Sequence, residues 1–188
     1  MKWVVIFFLS YFLKDSIALV HSLKRENNLY LFNLLSFFEI GIVAIIYGFG
    51  MPKYAKKFLW FAVGCLVINL LFYSGQTISV GNLTLTRLFI IITVLIYLNN
   101  LLNEALIRNI LRHDLFWVSA GLLLYAAGTF FIFLFGKDLF NFGAASAYET
   151  FDFYWNFQEI IFIIFCVLAT IGLHFSEAGD HSNLVSND

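Results

Sequence analysis

Ionisable residues interrupt stretches of this chain that are otherwise almost wholly apolar, among them Asp15, Glu39, Arg87 and Glu159. A charge at mid-bilayer costs at least ~2.5–3.5 kcal/mol on insertion scales, so each of these side chains needs a partner or water. Lys14 is angularly off the Asp15 stripe and is read as snorkelling outward, so three carboxylates face one firm cation, Arg87, and at least one acid is left over. That acid is either protonated or meets a cationic ligand. The chemistry open to such a set is therefore proton exchange or the binding of a small cation. Paired carboxylates can also do acid–base catalysis, but no nucleophile or metal set accompanies these. The chain contains no H-E-x-x-H, G-x-S-x-G, P-loop or C-x-x-C motif. Cys65 and Cys166 fall inside apolar runs, where thiols are usually inert packing residues. His113, His174 and His181 match no metal-site spacing. No catalytic residue, metal or cofactor is expected.

The elements that must position these residues are long apolar runs. A spanning helix needs about 20 mostly apolar residues. Six runs qualify: 3–20, 29–47, 58–74, 83–102, 115–135 and 154–175. They are continuous rather than alternating, which argues against a β-barrel. The reading is an all-α, polytopic transmembrane helical bundle with six spans, one domain over 1–175, and a flexible polar cytoplasmic tail over 176–188. The first run has the basic start and apolar core of a signal peptide, but no clear small-x-small cleavage site, and is read as a retained helix. Lys2, Lys53, Lys56, Lys57, Arg108 and Arg112 fall on one side of this topology, and Lys24, Arg25 and Lys137 on the other. The larger set assigns both termini to the cytoplasm.

Composition agrees. Of 188 residues, 61% are hydrophobic and 12% charged, against about 25% charged in soluble domains. The net charge of −1 leaves no basic face for nucleic acid. The lipid bilayer is the expected environment.

Helical spacing then places the polar residues. Asn33, Ser36, Glu39 and Tyr47 share one side of the second span; Cys65, Asn69, Tyr73 and Gln76 share one side of the third. Trp155, Asn156, Glu159, Cys166, Thr170 and His174 form a stripe along the sixth, and Tyr11, Asp15 and Ser22 along the first. Gly121 and Gly128 of the fifth suit close helix packing. With the termini inside, Asp15, Arg87 and Glu159 fall in the outer half and Glu39 near the midplane, with Asn69 and Tyr125 at a similar level. The expectation is an outward-opening polar cavity formed by Asp15, Glu39, Asn69, Arg87, Tyr125 and Glu159. By depth, Arg87 pairs most readily with Glu159 or Asp15. An aromatic segment containing Leu139, Phe140, Phe142, Tyr148, Phe151, Phe153, Tyr154 and Trp155 reads as an interfacial belt or as a lid across the outer mouth.

Two segments carry a resemblance. "LYLFNLLSFFEIGIVAIIYG" and "HDLFWVSAGLLLYAAGTFFIFLFG" resemble the strongest segments of a family of small bacterial integral membrane proteins. Its members have an acidic residue in the first helix, here Glu39, and an F-W-x-x-x-G-x-L-x-Y-x-x-G stretch in the second. Here that stretch is Phe116, Trp117, Gly121, Leu123, Tyr125 and Gly128. The resemblance implies a bacterial inner-membrane protein encoded near sensor histidine kinases, with no assigned activity. The expected function is a non-enzymatic sensor or regulator whose cavity takes a small ligand or proton. It would work with a signalling partner or as a homo-oligomer. The alternative is a channel- or transporter-like protein, including an oligomeric accessory of a phage-defence system.

Overall fold

The computed structural model describes residues 1–103, 110–135 and 147–185. Six α-helices follow one another: α1 (Lys2–Leu23), α2 (Tyr30–Gly50), α3 (Ala55–Phe72), α4 (Val80–Asn103), α5 (Asp114–Leu134) and α6 (Ala147–Val185). There is no strand among the described residues. Six segments are long and apolar enough to cross a membrane, so the multi-pass bundle read from the runs is what forms. Little breaks these helices. Pro52 opens the short 3-10 turn Pro52–Tyr54 that separates α2 from α3, where its missing N–H is not needed. α1 closes with Glu26 N–H donating to His21 O at 2.9 Å and Arg25 N–H to Ser22 O at 3.0 Å. Arg25 holds φ 59 there, the left-handed position that usually takes glycine in this closure.

Successive helices run antiparallel. One end of the bundle carries Met1, the α2–α3 turn and the start of α5. The opposite end carries the α1–α2 and α3–α4 connections, joined by Asn27 donating to Gln76 O at 3.0 Å. α2 packs against α1, α3 and α4; α4 packs against α5, and α5 against α6. The core therefore lies along α2, α4 and α5, with Ile40, Val43, Tyr47, Ile90, Val94, Leu122, Tyr125 and Ala126 almost fully buried. The lateral surface is greasy, with Phe12, Trp60, Leu71 and Ile163 exposed, as a lipid-facing surface should be.

The α5–α6 seam is the tightest. A Cβ on Gly121 would stand 2.8 Å from the Phe165 ring, and one on Gly128 would stand 2.5 Å from Ile161 Cδ1. A Cβ on Gly172 would meet the Asp114 carbonyl oxygen at 2.5 Å. Small residues let the two backbones approach. That seam selects which side of α6 turns inward. Ile161, Phe165 and Ala169 are buried at i, i+4, i+8, whereas Asn156, Glu159 and Thr170 are exposed. The polar stripe of α6 faces away from the bundle, contrary to the expectation that it lines the interior. α6 also runs through Val185, so the helix extends into the segment expected as a tail. Of the aromatic lid, residues 136–146 lie outside the described residues.

Candidate functional site

Each helix that reaches the centre does so through a short buried stripe. In α1 only Val4, Phe7 and Tyr11 are buried, spaced three and four apart on one face. In α2, Glu39 lies beside Ile40, between Ser36 and Val43, and is 1% exposed. In α4, Arg87 follows Leu83 by four residues, precedes Ile90 and Val94, and is 3% exposed. In α5, Tyr125 lies between Leu122 and Thr129.

These four polar side chains meet. Arg87 Nη1 donates to Glu39 Oε1 at 2.7 Å, and Arg87 Nη2 donates to the Tyr125 hydroxyl at 2.9 Å. The Tyr11 hydroxyl donates to the same carboxylate oxygen of Glu39, and the two phenol oxygens lie 3.2 Å apart. A phenol has one proton to give. Since Tyr11 gives its proton to Glu39, Tyr125 must donate to Tyr11. The bonds close into a ring: Arg87 to Tyr125 to Tyr11 to Glu39, with Arg87 also donating directly to Glu39. α1, α2, α4 and α5 each contribute one member. The guanidinium carbon also stands 4.5 Å from the Tyr125 ring centre and 5.4 Å from that of Phe133, a desolvated cation–π arrangement.

α6 supplies rings rather than charge. Phe162 stacks on Tyr11 at 4.7 Å and Phe165 stacks on Tyr125 at 5.9 Å. Phe7 and Phe8 of α1 also meet Phe165, at 5.8 and 5.1 Å. An aromatic seam between α1 and α6 thus covers the ring from the lateral side.

The structure joins Glu39, Arg87 and Tyr125 but leaves Asp15 and Glu159 out. Arg87 takes Glu39, not the two acids that depth favoured. Asp15 lies one turn beyond Tyr11, past the aromatic seam; its side chain is 62% exposed and pairs with Lys14. Lys14, which helical angle set apart from the Asp15 stripe, is itself mostly covered, 4.4 Å from the Phe32 ring centre. Glu159 is exposed on the outward face of α6, within electrostatic reach of Asp15 and Lys14. It is excluded because the glycine seam directs Ile161, two residues away and so about 200° around the helix, toward α5. Asn69 is fully buried but meets other polar groups, Ser36 at 3.1 Å and Thr86 at 3.5 Å.

Tyr11 and the two phenylalanines of α6 are the functional candidates that sequence reasoning missed. The signal for Tyr11 was present: it precedes Asp15 by four residues on the same stripe. Two partly open clefts lined by polar as well as apolar residues lie at the Met1 end. One of about 290 Å³ is lined by Trp3, Gly50, His113 and Asp114 among others, and one of about 250 Å³ by Lys53, Tyr97, Asn100 and His113 among others. Neither is lined by Glu39 or Arg87. Among the described residues no three His, Cys, Asp or Glu side chains gather as metal ligands would. No family model, curated protein or solved structure matches this chain.

Proposed function

We propose that this is a non-enzymatic integral membrane sensor or regulatory protein whose responsive element is the Glu39–Arg87 ion pair. One observation carries the reading: a single buried pair and two phenols hold four helices together in a closed hydrogen-bonded ring. A buried ion pair is a poor device for stability alone, since apolar residues of similar volume often serve as well. It is an effective switch, because removing charge from one partner strands the other. A proton or a competing cation at Glu39 would release Arg87 and the Tyr11 bond together. α1 would feel this most. Only 17% of its spanning window is buried, and Tyr11 is its sole polar tie into the core ring. The signal would then be a shift of α1 against α6, carried to a partner protein or a second copy.

A pore is less well supported. Beyond the pair, toward the Met1 end, the core is mostly apolar, with Ile40, Val43, Ile90 and Val94 each at 0% exposure, and its buried polar groups are Thr93 and the Tyr47–Ser119 pair. A conducting path would need a continuous run of polar groups there.

The Lys/Arg distribution supports an inner-membrane protein with cytoplasmic termini. In that orientation Lys53, Lys56 and Lys57 face the cytoplasm and Gln76 the outside. The test of the function uses spin labels on cysteines placed at Ser22 and Asn156, both exposed, after Cys65 and Cys166 are replaced by alanine. The α1–α6 distance should change as pH or a cation is varied, and should stay fixed in Glu39→Gln. A distance that is constant in the unaltered ring, or that moves equally in Glu39→Gln, sinks the reading.

A further inference from the structure

A second polar system leads to the pair from one end of the bundle. It begins at the α3–α4 connection, where Gln76 and Thr77 are exposed. Asn33 of α2 donates to Ser74 O at 2.6 Å and Thr77 O at 2.8 Å, and its carbonyl oxygen accepts from Ser79 N–H at 2.8 Å. One turn deeper, Ser36 donates to Asn33 O at 2.6 Å and accepts from Asn69 Nδ2 at 3.1 Å. Asn69 also reaches Thr86 Oγ1 at 3.5 Å, and that hydroxyl donates to Asn82 O at 2.8 Å. Asn33, Ser36, Asn69, Asn82 and Thr86 are all at 0% exposure. Glu39 follows Ser36 by one turn, and Arg87 follows Thr86 directly, so the column arrives at the ion pair.

The column is not self-sufficient. Asn69 Oδ1, both amide atoms of Asn82, and Arg87 Nε are buried with no hydrogen-bond partner among the described residues. Buried polar groups are nearly always paired, and unpaired ones call for water or an ion. Within the column and at its inner end the orphaned set is two acceptors, the Asn69 and Asn82 side-chain carbonyl oxygens, and two donors, the Asn82 amide and Arg87 Nε–H. A water molecule has two protons to give and two lone pairs to accept with, and an internal water needs two to four such partners. A metal cation would use the oxygens but would be repelled by the guanidinium and the amide donors. Water matches the whole set.

We propose that Asn69 and Asn82 hold internal water that extends the polar column to Arg87 Nε, so that water and protons reach the Glu39–Arg87 pair from the α3–α4 end alone. In the other direction the core is mostly apolar, with Ile40, Val43, Ile90 and Val94 at 0% exposure, and its polar groups are an isolated Thr93 hydroxyl and the Tyr47–Ser119 pair, which bond to each other at 2.9 Å rather than to the column. This inference uses the position of the pair and stands apart from its sensing role. Hydrogen exchange reports water access and spin-label distances report the response, so either can fail without the other.

The experiment is infrared hydrogen–deuterium exchange of the full chain in lipid nanodiscs moved into D2O. The guanidinium band of Arg87 is identified by its loss in Arg87→Lys. In the unaltered protein it should shift to its deuterated position within the time of buffer exchange. Asn82→Leu and Asn69→Leu should each slow that shift by about tenfold or more, because the water loses half its partners. Thr170→Val, on the exposed face of α6, should leave the rate unchanged. A second approach leaves the core intact: a bulky maleimide on a cysteine at Gln76, with Cys65 and Cys166 replaced by alanine, should slow exchange by obstructing the mouth. The proposal is overturned by an Arg87 band that does not exchange in the unaltered protein. It is equally overturned by folded leucine variants and a blocked mouth that exchange at the original rate, or by exchange that sodium ions inhibit, which would mark a cation at the site.

Discussion

Replacing Arg87 by methionine removes the cation of the buried ring. The substitution deletes two charge-assisted hydrogen bonds, at 2.7 Å to Glu39 and 2.9 Å to Tyr125. Each such bond is worth about 1.5–3 kcal/mol. It also deletes the stacking on Tyr125 at 4.5 Å, worth about 1–2 kcal/mol when desolvated. Methionine restores part of the buried volume and offsets some of this. The larger consequence is a carboxylate at 1% exposure left with Tyr11 as its only ring partner. Breaking a buried pair from one side typically costs about 3–5 kcal/mol; the bond-by-bond sum, about 4–8 kcal/mol before the methionine offset, overlaps the upper part of that range. For a chain of this length that corresponds to a fall in unfolding temperature of roughly 6–20 °C. The assay is thermal and denaturant unfolding in a single detergent, for Arg87→Met, Glu39→Gln and the double variant. If the ring is coupled, the double variant should be more stable than Arg87→Met alone, because no charge is stranded. A loss below about 1 kcal/mol for Arg87→Met, or strictly additive losses in the cycle, would refute the reasoning.

Tyr11→Phe keeps the ring stacking on Phe162 and removes only the hydroxyl, so it should cost about 1.5–3 kcal/mol and increase the proteolytic or exchange lability of α1 before that of α2. Gly172→Ala forces a Cβ to within 2.5 Å of the Asp114 backbone oxygen and should cost about 1–3 kcal/mol by overpacking. Gly41→Ala, with nothing within 4 Å of its Cβ position, should leave unfolding unchanged or raise its midpoint; equal losses at the two glycines would contradict the tight α5–α6 seam. Asn33→Leu strands the Ser74 and Thr77 carbonyls and the Ser79 amide, so amide exchange should show protection lost at Ser79 while the middle of α2 stays protected.

Much of this molecule was legible before any coordinates. The six spans follow from apolar runs of bilayer length, since a chain in lipid must satisfy every backbone group within its own helices. The importance of Glu39 and Arg87 follows from the insertion cost of a charge, and the close-packing role of Gly121 and Gly128 from their size. Helical periodicity also grouped Asn33, Ser36 and Glu39 correctly on one side of α2. What periodicity cannot supply is the rotation of each helix about its own axis relative to its neighbours. Residues 156, 159, 166 and 170 share a face by spacing alone, but whether that face turns inward depended on the fit of Ile161 and Phe165 against two glycines of α5. Axial depth has the same limit. By depth Asp15 and Glu159 competed well for Arg87, and Glu39 won because α2 lies between α1, α3 and α4 while the other two acids ride on flanking helices. Spacing along a chain determines angles within a helix. Only packing between helices decides which angle is the inside.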